Sequence, residues 1–290
     1  MSRFSALEGM VSERLGGPWR VHHVQPMSGG IHEAMILHGA GLSVFVKVGR
    51  DSAAGARFAC EIEGLVELGR SGVVRVPRVL GLLGGEGSTV LLLLEAVKPS
   101  EPDARSWEGL GASLAALHGC TAGSFGLGQD NYIGMQVQSN RKRMSWPEFY
   151  AQERLVPQLR RAVESGRLEA GEARQVDRLI GRLDGLCGPE AGPSLLHGDL
   201  WRGNVLFDGE GALLIDPAVY YGHREVEIAF ARLFGGMDDA MFAAYDEAYP
   251  LDEGYLEREA LWQVYPLLVH VNHFGETYVP SLLGAVGRYV

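Results

Sequence analysis

Leu195-Leu196-His197-Gly198-Asp199-Leu200-Trp201-Arg202-Gly203-Asn204, followed by Leu213-Leu214-Ile215-Asp216-Pro217, is the part of the chain that decides its fold. Asn204–Phe207 and Ala212–Ile215 read as short apolar strands around the turn Asp208-Gly209-Glu210-Gly211. That is a β-hairpin signal. Antiparallel pairing across such a turn sets residue 204 opposite roughly residue 215. An amide at Asn204 and a carboxylate at Asp216 therefore meet at one end of the hairpin. Two hard oxygen donors of this kind suit Mg²⁺, which takes few protein ligands and completes its shell with phosphate oxygens and water. Asp199 lies five residues before Asn204 in a glycine-containing loop, placed to accept a hydroxyl proton. One Asp or Asn in a turn is an ordinary cap. Three at this spacing match the catalytic Asp, metal Asn and metal Asp of phosphoryl transfer.

The N-terminal half tests this independently. Val44-Phe45-Val46-Lys47-Val48 places a lysine inside an apolar strand. A buried ammonium needs a partner; an edge-strand lysine facing water does not. The next helix offers Glu61, Glu63 and Glu67. At 100° per residue only Glu61 falls in the arc of Phe58, Ile62, Leu65 and Leu68. A Lys47–Glu61 pair would hold the ammonium against phosphates. Ser28-Gly29-Gly30, upstream between two strands, could cover phosphates with backbone N–H groups, although paired glycines are often only a turn.

Outward from these motifs, the first helix is signalled by Ser5-Ala6-Leu7-Glu8. Strands are expected at Trp19–Val24, His32–Leu37, Leu42–Val48, Arg78–Leu82 and Ser88–Ala96, with a helix at Ala53–Leu68. After about residue 100 the period becomes helical: Ser106–His118, Trp146–Glu164, Ala170–Leu186, Glu225–Phe234, Asp239–Tyr249 and Tyr255–Phe274. The joint falls at Glu95–Pro102, where Lys98-Pro99-Ser100-Glu101-Pro102 breaks both periods. The expectation is an α+β fold of two lobes. Residues 1–97 form a small, mainly antiparallel β lobe with one helix, and residues 98–290 a larger, mainly α-helical lobe that carries the catalytic β-hairpin.

Composition sets the limits. The chain has 290 residues, 46% hydrophobic, with a net charge of −10. Disorder is excluded and bulk-electrostatic binding of nucleic acid is not expected. Three cysteines far apart give no disulfide or zinc pattern. Neither a signal peptide nor a membrane span is read, so a cytoplasmic protein without a membrane partner is expected. No G-x-S-x-G, H-E-x-x-H or G-x-G-x-x-G motif is present, which leaves hydrolase, zincin and Rossmann readings without support.

His197-Gly198-Asp199-Leu200-Trp201-x-Gly203-Asn204, with Ile215-Asp216-Pro217-Ala218-Val219-Tyr220-Tyr221-Gly222-His223-Arg224-Glu225, resembles the fructosamine kinase (ketosamine 3-kinase) family. Asp130-Asn131-Tyr132-Ile133-Gly134, Gln138-x-Asn140, Trp146-x-x-Phe149, Arg154-Leu155 and Asn272-His273-Phe274-Gly275 match its pattern too. The resemblance implies a protein-kinase-like fold and ATP-dependent phosphorylation of the 3-hydroxyl of ketosamines, whose unstable 3-phosphate eliminates and frees the amine. It implies Asp199 as base, Asn204 and Asp216 as Mg²⁺ ligands, and Lys47, Glu61, Ser28, Gly29, Gly30, Glu95 and Val97 about the nucleotide. Two departures stand out. Gly30 is followed directly by Ile31-His32, where the family usually has another residue, and Glu227 stands where an Asp is common. Glu227 is expected to be structural.

For the acceptor, Trp201 is expected to stack on the sugar or amine chain, with Asp130, Asn131 and His273 nearby. An acidic chain suits a neutral or cationic sugar-amine, a free ketosamine or a glycated lysine, better than a polyanion. His270 and His273 share a helix face, but no third metal ligand accompanies them. A kinase for an aminoglycoside or choline, or a silent nucleotide-binding module, are the rival readings. Oligomeric state is not legible.

Overall fold

The computed structural model describes residues 4–27, 32–84, 89–189 and 191–290. Ser28, Gly29 and Gly30 lie outside the described residues. The chain divides into two compact units, one of the residues up to Pro102 together with Leu206–Asp216, the other of Asp103–Val205 and Pro217–Val290.

The first unit opens with α1 (Ser5–Leu15), closed by Gly16 in the left-handed region. Strands β1 (His23–Met27), β2 (Glu33–His38) and β3 (Ser43–Gly49) follow, then α2 (Ala54–Arg70), β4 (Val79–Gly84) and β5 (Val90–Glu95). They form one antiparallel sheet in the order β1-β2-β3-β5-β4. The first strand starts at His23 and not at Trp19 as expected. Trp19 is instead a buried anchor whose Nε1 donates to the Leu42 carbonyl at 3.1 Å. Pro26 in β1 has no N–H to give, which the edge position tolerates. One core joins α1 to the sheet through Leu7, Val11, Val44, Val46, Leu80 and Leu93. A second, of Phe58, Leu65, Leu92 and Leu94, joins α2 to it.

The hairpin β9 (Val205–Asp208) and β10 (Gly211–Leu214) packs with this unit, whereas it was expected with the helical one. The cause is local bonding. Arg75 grips Asp208 through both terminal nitrogens, at 2.8 and 2.9 Å. The Leu214 amide donates to the Arg75 carbonyl at 2.9 Å, and the Ser100 amide to the Phe207 carbonyl at 2.8 Å.

The second unit is mainly helical. Its elements are α3 (Ala104–His118), β6 (Asn131–Ile133), β7 (Gln136–Gln138), α4 (Trp146–Phe149), α5 (Val156–Glu164), α6 (Ala170–Ile180), α7 (Leu183–Leu186), β8 (Ser194–Leu196), β11 (Tyr220–Gly222), α8 (Arg224–Leu233), α9 (Asp239–Ala248), α10 (Tyr255–Phe274) and α11 (Val279–Val286). The helix expected over 146–164 is interrupted by a π-helical segment, Tyr150–Leu155. Pro157 cannot donate to the Glu153 carbonyl one turn back, and Arg154 Nη1 donates to it instead at 3.0 Å. Pro266 leaves a similar gap in α10. The Tyr150 hydroxyl fills it, 2.9 Å from the Leu261 carbonyl and 3.3 Å from that of Trp262. Phe125, Trp146, Phe149, Tyr150, Tyr220 and Trp262 form the aromatic core. Among the described residues no helix is long and apolar enough to cross a membrane.

His223, at the start of α8, is buried between Trp146 and Trp262, and its Nδ1 accepts from the Glu225 amide at 3.3 Å. A proton on Nδ1 would face that N–H, and burial pushes the imidazole down to about 4 from an ordinary 6.5. The unfolded chain therefore takes up this proton below about pH 6.5, and the folded one only near 4. Stability should fall across that window by about 3 kcal/mol from this residue alone. Urea denaturation at pH 7 and pH 4.5 should show a smaller loss for His223→Asn, which keeps a cap but cannot titrate. Equal losses in both proteins would refute the assignment.

Candidate active site

In the first unit, β3 directs Lys47 inward, where it is 6% exposed. Its Nζ lies 2.7 Å from Glu61 Oε1 and 2.5 Å from Asp216 Oδ1. The Lys47–Glu61 pair predicted from the helix arc is present, and Asp216 joins it. Burial alone would depress the ammonium; the Glu61 and Asp216 carboxylates outweigh it and raise it. Burial, aided by the charge of Asp216, raises Glu61, although Lys47 draws it down. The ammonium is fixed, charged and shared, as a phosphate-orienting lysine must be.

Asp216 has φ 56°, and no other described non-glycine residue has a positive φ. Strain of this kind persists where the surroundings over-determine it and clusters at functional positions. No motif in the sequence marks His32 as a site residue. It is half-buried with its ring edge-on to Phe58 at 5.2 Å, and burial, Lys47 and Arg57 lower it. Arg57, one helical turn before Glu61, holds Asp51 at 2.9 and 2.5 Å. Glu95 ends β5 with its carboxylate 2.9 Å from Arg78 Nε, and Val97 is half-buried just beyond.

In the second unit, the loop from His197 to Asn204 holds Asp199 and Asn204 together. Asn204 Nδ2 donates to the Asp199 carbonyl at 2.8 Å and to Asp199 Oδ2 at 3.0 Å. Asn204 does not open the strand, as expected, but ends a 3₁₀ turn over Arg202–Asn204; Asp216 lies beyond the last residue of β10. Gly198 has φ +84°, and a Cβ there would sit 2.1 Å from the Ala218 carbonyl oxygen. Only glycine lets the loop pass so close to the 217–220 segment.

Glu227 holds the loop from beneath. Its Oε1 accepts from the Gly198 amide at 2.7 Å, and its Oε2 from the His197 amide at 3.0 Å and from His118 Nε2 at 3.1 Å. Burial alone would raise this carboxyl; the His118 bond, the two imidazoles and the Gly198 amide hold it below its ordinary range. The expectation that Glu227 is structural is met, and its task is to set the backbone just before Asp199.

A second buried network fixes the facing segment. Asn131 Nδ2 donates to the Val219 carbonyl at 2.8 Å, and Gln138 Nε2 donates to the Ala218 carbonyl at 3.0 Å and to Asn131 Oδ1 at 2.8 Å. Asn140 Nδ2 reaches the same Asn131 oxygen at 2.9 Å. Arg154 Nη2 donates to Asn140 Oδ1 at 2.8 Å, while its guanidinium lies 3.9 Å from the Tyr220 ring centroid. Asn131 therefore spends its side chain on the scaffold.

The other substrate candidates fall in different settings. Trp201 is 41% exposed, and its indole lies over Gly203, where a Cβ would come within 2.3 Å of the ring. Asp130 is exposed, and its Oδ1 accepts from the Asn140 amide at 2.8 Å. His273 uses both nitrogens. Nδ1 is 2.9 Å from the Val269 carbonyl and 2.8 Å from the Gln136 amide, and Nε2 accepts from the Met135 amide at 3.2 Å. It pins the β6–β7 turn to α10.

Asn204 in the second unit and Asp216 in the first each offer an oxygen of the hard kind that a divalent ion takes. Asn204 spends Nδ2 on Asp199 and so leaves Oδ1, and Asp216 gives one oxygen to Lys47. Among the described residues no three His, Cys, Asp or Glu side chains gather as a metal cluster. Few protein oxygens, completed by phosphate oxygens, is the pattern Mg²⁺ favours.

The profile of a family described as Fructosamine kinase matches residues 4–289. A probable ketoamine kinase of Enterococcus faecium is 41% identical over 223 residues, covering 76% of this chain and 78% of that one. A probable ketoamine kinase of Vibrio cholerae is 36% identical over 94% of each chain. The crystal structure of a candidate fructosamine-3-kinase from Thermobifida fusca superposes with a TM-score of 0.87 at 38% identity, covering 98% of both chains. An aminoglycoside phosphotransferase solved with ADP and hygromycin B shares the fold at 16% identity and a TM-score of 0.64, over 98% of this chain and 99% of that one. The fold is thus kinase-like. The chain belongs to the fructosamine kinase family.

Proposed function

We propose that this chain transfers the γ-phosphoryl group of ATP to the 3-hydroxyl of a ketosamine, a reaction that leads to deglycation of the amine. The observation that carries the reading is the Asp199–Asn204 pair at 3.0 Å, in a loop whose amides Glu227 holds. Asp199 orients the acceptor hydroxyl and takes its proton. Lys47, steadied by Glu61, binds phosphate oxygens of the nucleotide. Asn204 and Asp216 would hold Mg²⁺, which when bound neutralises charge on the phosphates. Ser28, Gly29 and Gly30 are proposed to cover those phosphates, with Glu95 and Val97 on the base. Trp201 is exposed and lies in the same loop as Asp199, which supports its stacking on the acceptor.

A coupled assay of ADP release tests the reading. Purified protein with ATP·Mg should release ADP with fructosamines, ribulosamines or erythrulosamines, and none above background with choline or an aminoglycoside. Turnover confined to choline or aminoglycosides would replace the acceptor. ATP binding with no turnover on any sugar-amine would make the chain a nucleotide-binding module.

A further inference from the structure

Arg161, on α5, is half-buried, and among the described residues its guanidinium makes no hydrogen bond or ion pair. Other arginines withdrawn from water have polar partners: Arg57 pairs with Asp51, Arg75 with Asp208, Arg143 with Glu153 and Arg258 with Glu225, while Arg154 donates to the Ser139 and Glu153 carbonyls and to Asn140 Oδ1, and Arg202 to the Val205 carbonyl. A partly desolvated cation without a counter-ion costs stability that a ligand of opposite charge restores.

Its position is set by the residue three places earlier. The backbone carbonyl and Oε1 of Gln158 both accept from Asn272 Nδ2, at 2.9 and 2.7 Å. Residues three apart share a helix face, so Arg161 is on the side of α5 that meets the last turns of α10, within electrostatic reach of His273. Asn272 Oδ1 is buried there with no donor. The charge of Arg161 acts on both His273 and Tyr265, and the charge of Asp199 acts on Tyr265 as well. Arg161 and the proposed base thus both lie within electrostatic reach of α10, in the same unit.

A net charge of −10 makes the protein as a whole unattractive to anions, so an isolated guanidinium in this place selects one group at one position. Guanidinium matches carboxylate by a pair of parallel hydrogen bonds. In a ketosamine built on the α-amine of a free amino acid, a carboxylate lies two bonds from the nitrogen. A glycated lysine within a polypeptide has none there. We propose that Arg161 binds the carboxylate of a ketosamine formed from a free amino acid, and so selects that class of acceptor; this rests on the ketosamine reading above.

The test compares the ketosamine of an amino acid, joined through its α-amine, with that of the corresponding amino-acid amide, in wild type and in Arg161→Gln. Wild type should prefer the carboxylate in kcat/KM. A charge-assisted hydrogen bond of about 1.5–3 kcal/mol corresponds to roughly 10- to 100-fold. Arg161→Gln should collapse the ratio by about that factor, through KM and not kcat. Arg161→Lys should restore part of it. A wild-type ratio near one, or a ratio that survives in Arg161→Gln, overturns the assignment while the ketosamine reading stands. Failure of wild type to phosphorylate either compound sinks the ketosamine reading and this inference with it.

Discussion

Asp199→Asn should lower kcat by about 10²–10⁴-fold, the range for loss of a positioned general base. Nucleotide binding should persist. The substitution is isosteric, and the new amide oxygen can still accept from Asn204 Nδ2, which is 3.0 Å from the present carboxylate. Lys47, Glu61 and Asp216, which are proposed to meet the phosphates and the metal, belong to the other unit and are untouched. Single-turnover kinetics with ATP·Mg and a ketosamine, alongside calorimetric titration of the nucleotide, separates the two effects. Normal turnover in this variant would remove Asp199 from the chemistry.

The largest structural effect is expected at Glu227. Replacement by Ala leaves the His197 amide, the Gly198 amide and His118 Nε2 without their acceptor, in a place where the carboxylate is 2% exposed. Each buried group left unsatisfied costs about 1–3 kcal/mol, so a total near 3–5 kcal/mol is expected. That corresponds to a drop in Tm of about 10 °C. Below the new Tm, kcat should also fall, because Gly198 precedes Asp199 and its amide is one of the two released. Glu227→Asp keeps the carboxylate and should recover part of both. A variant with wild-type Tm and kcat would show that the loop holds itself.

The parts that were legible in the sequence are those where one residue type violates its surroundings. A lysine inside Val44–Val48 demanded a carboxylate, and only Glu61 lay on the apolar arc; the observed separation is 2.7 Å. His-Gly-Asp followed by Asn at a spacing of five was legible for the same reason, and Asn204 does bond Asp199. What escaped notice was short or mutually determined. Strands β6, β7, β8 and β11 have three residues each, too few to display a period. Asn131, Gln138, Asn140 and Arg154 are polar yet buried, because each satisfies another across loops, at separations of 7, 9 and 14 residues. Helical periodicity shows neither that network nor the π turn that carries Arg154. Asn131 and His273 were placed on the acceptor because they are polar and lie in family motifs; their side chains are occupied with the scaffold. Arg161 stands out only in the structure, since nothing in the sequence tells an arginine without a partner from one with a partner.

Phosphorus NMR of the purified protein with ATP·Mg and a fructosamine tests the central claim most directly. The account predicts ADP together with a new phosphomonoester signal, coupled to the proton on sugar carbon 3 and decaying to inorganic phosphate as the amine is released. A signal at another sugar position, or ATP left unchanged while a ketosamine is present, would contradict it.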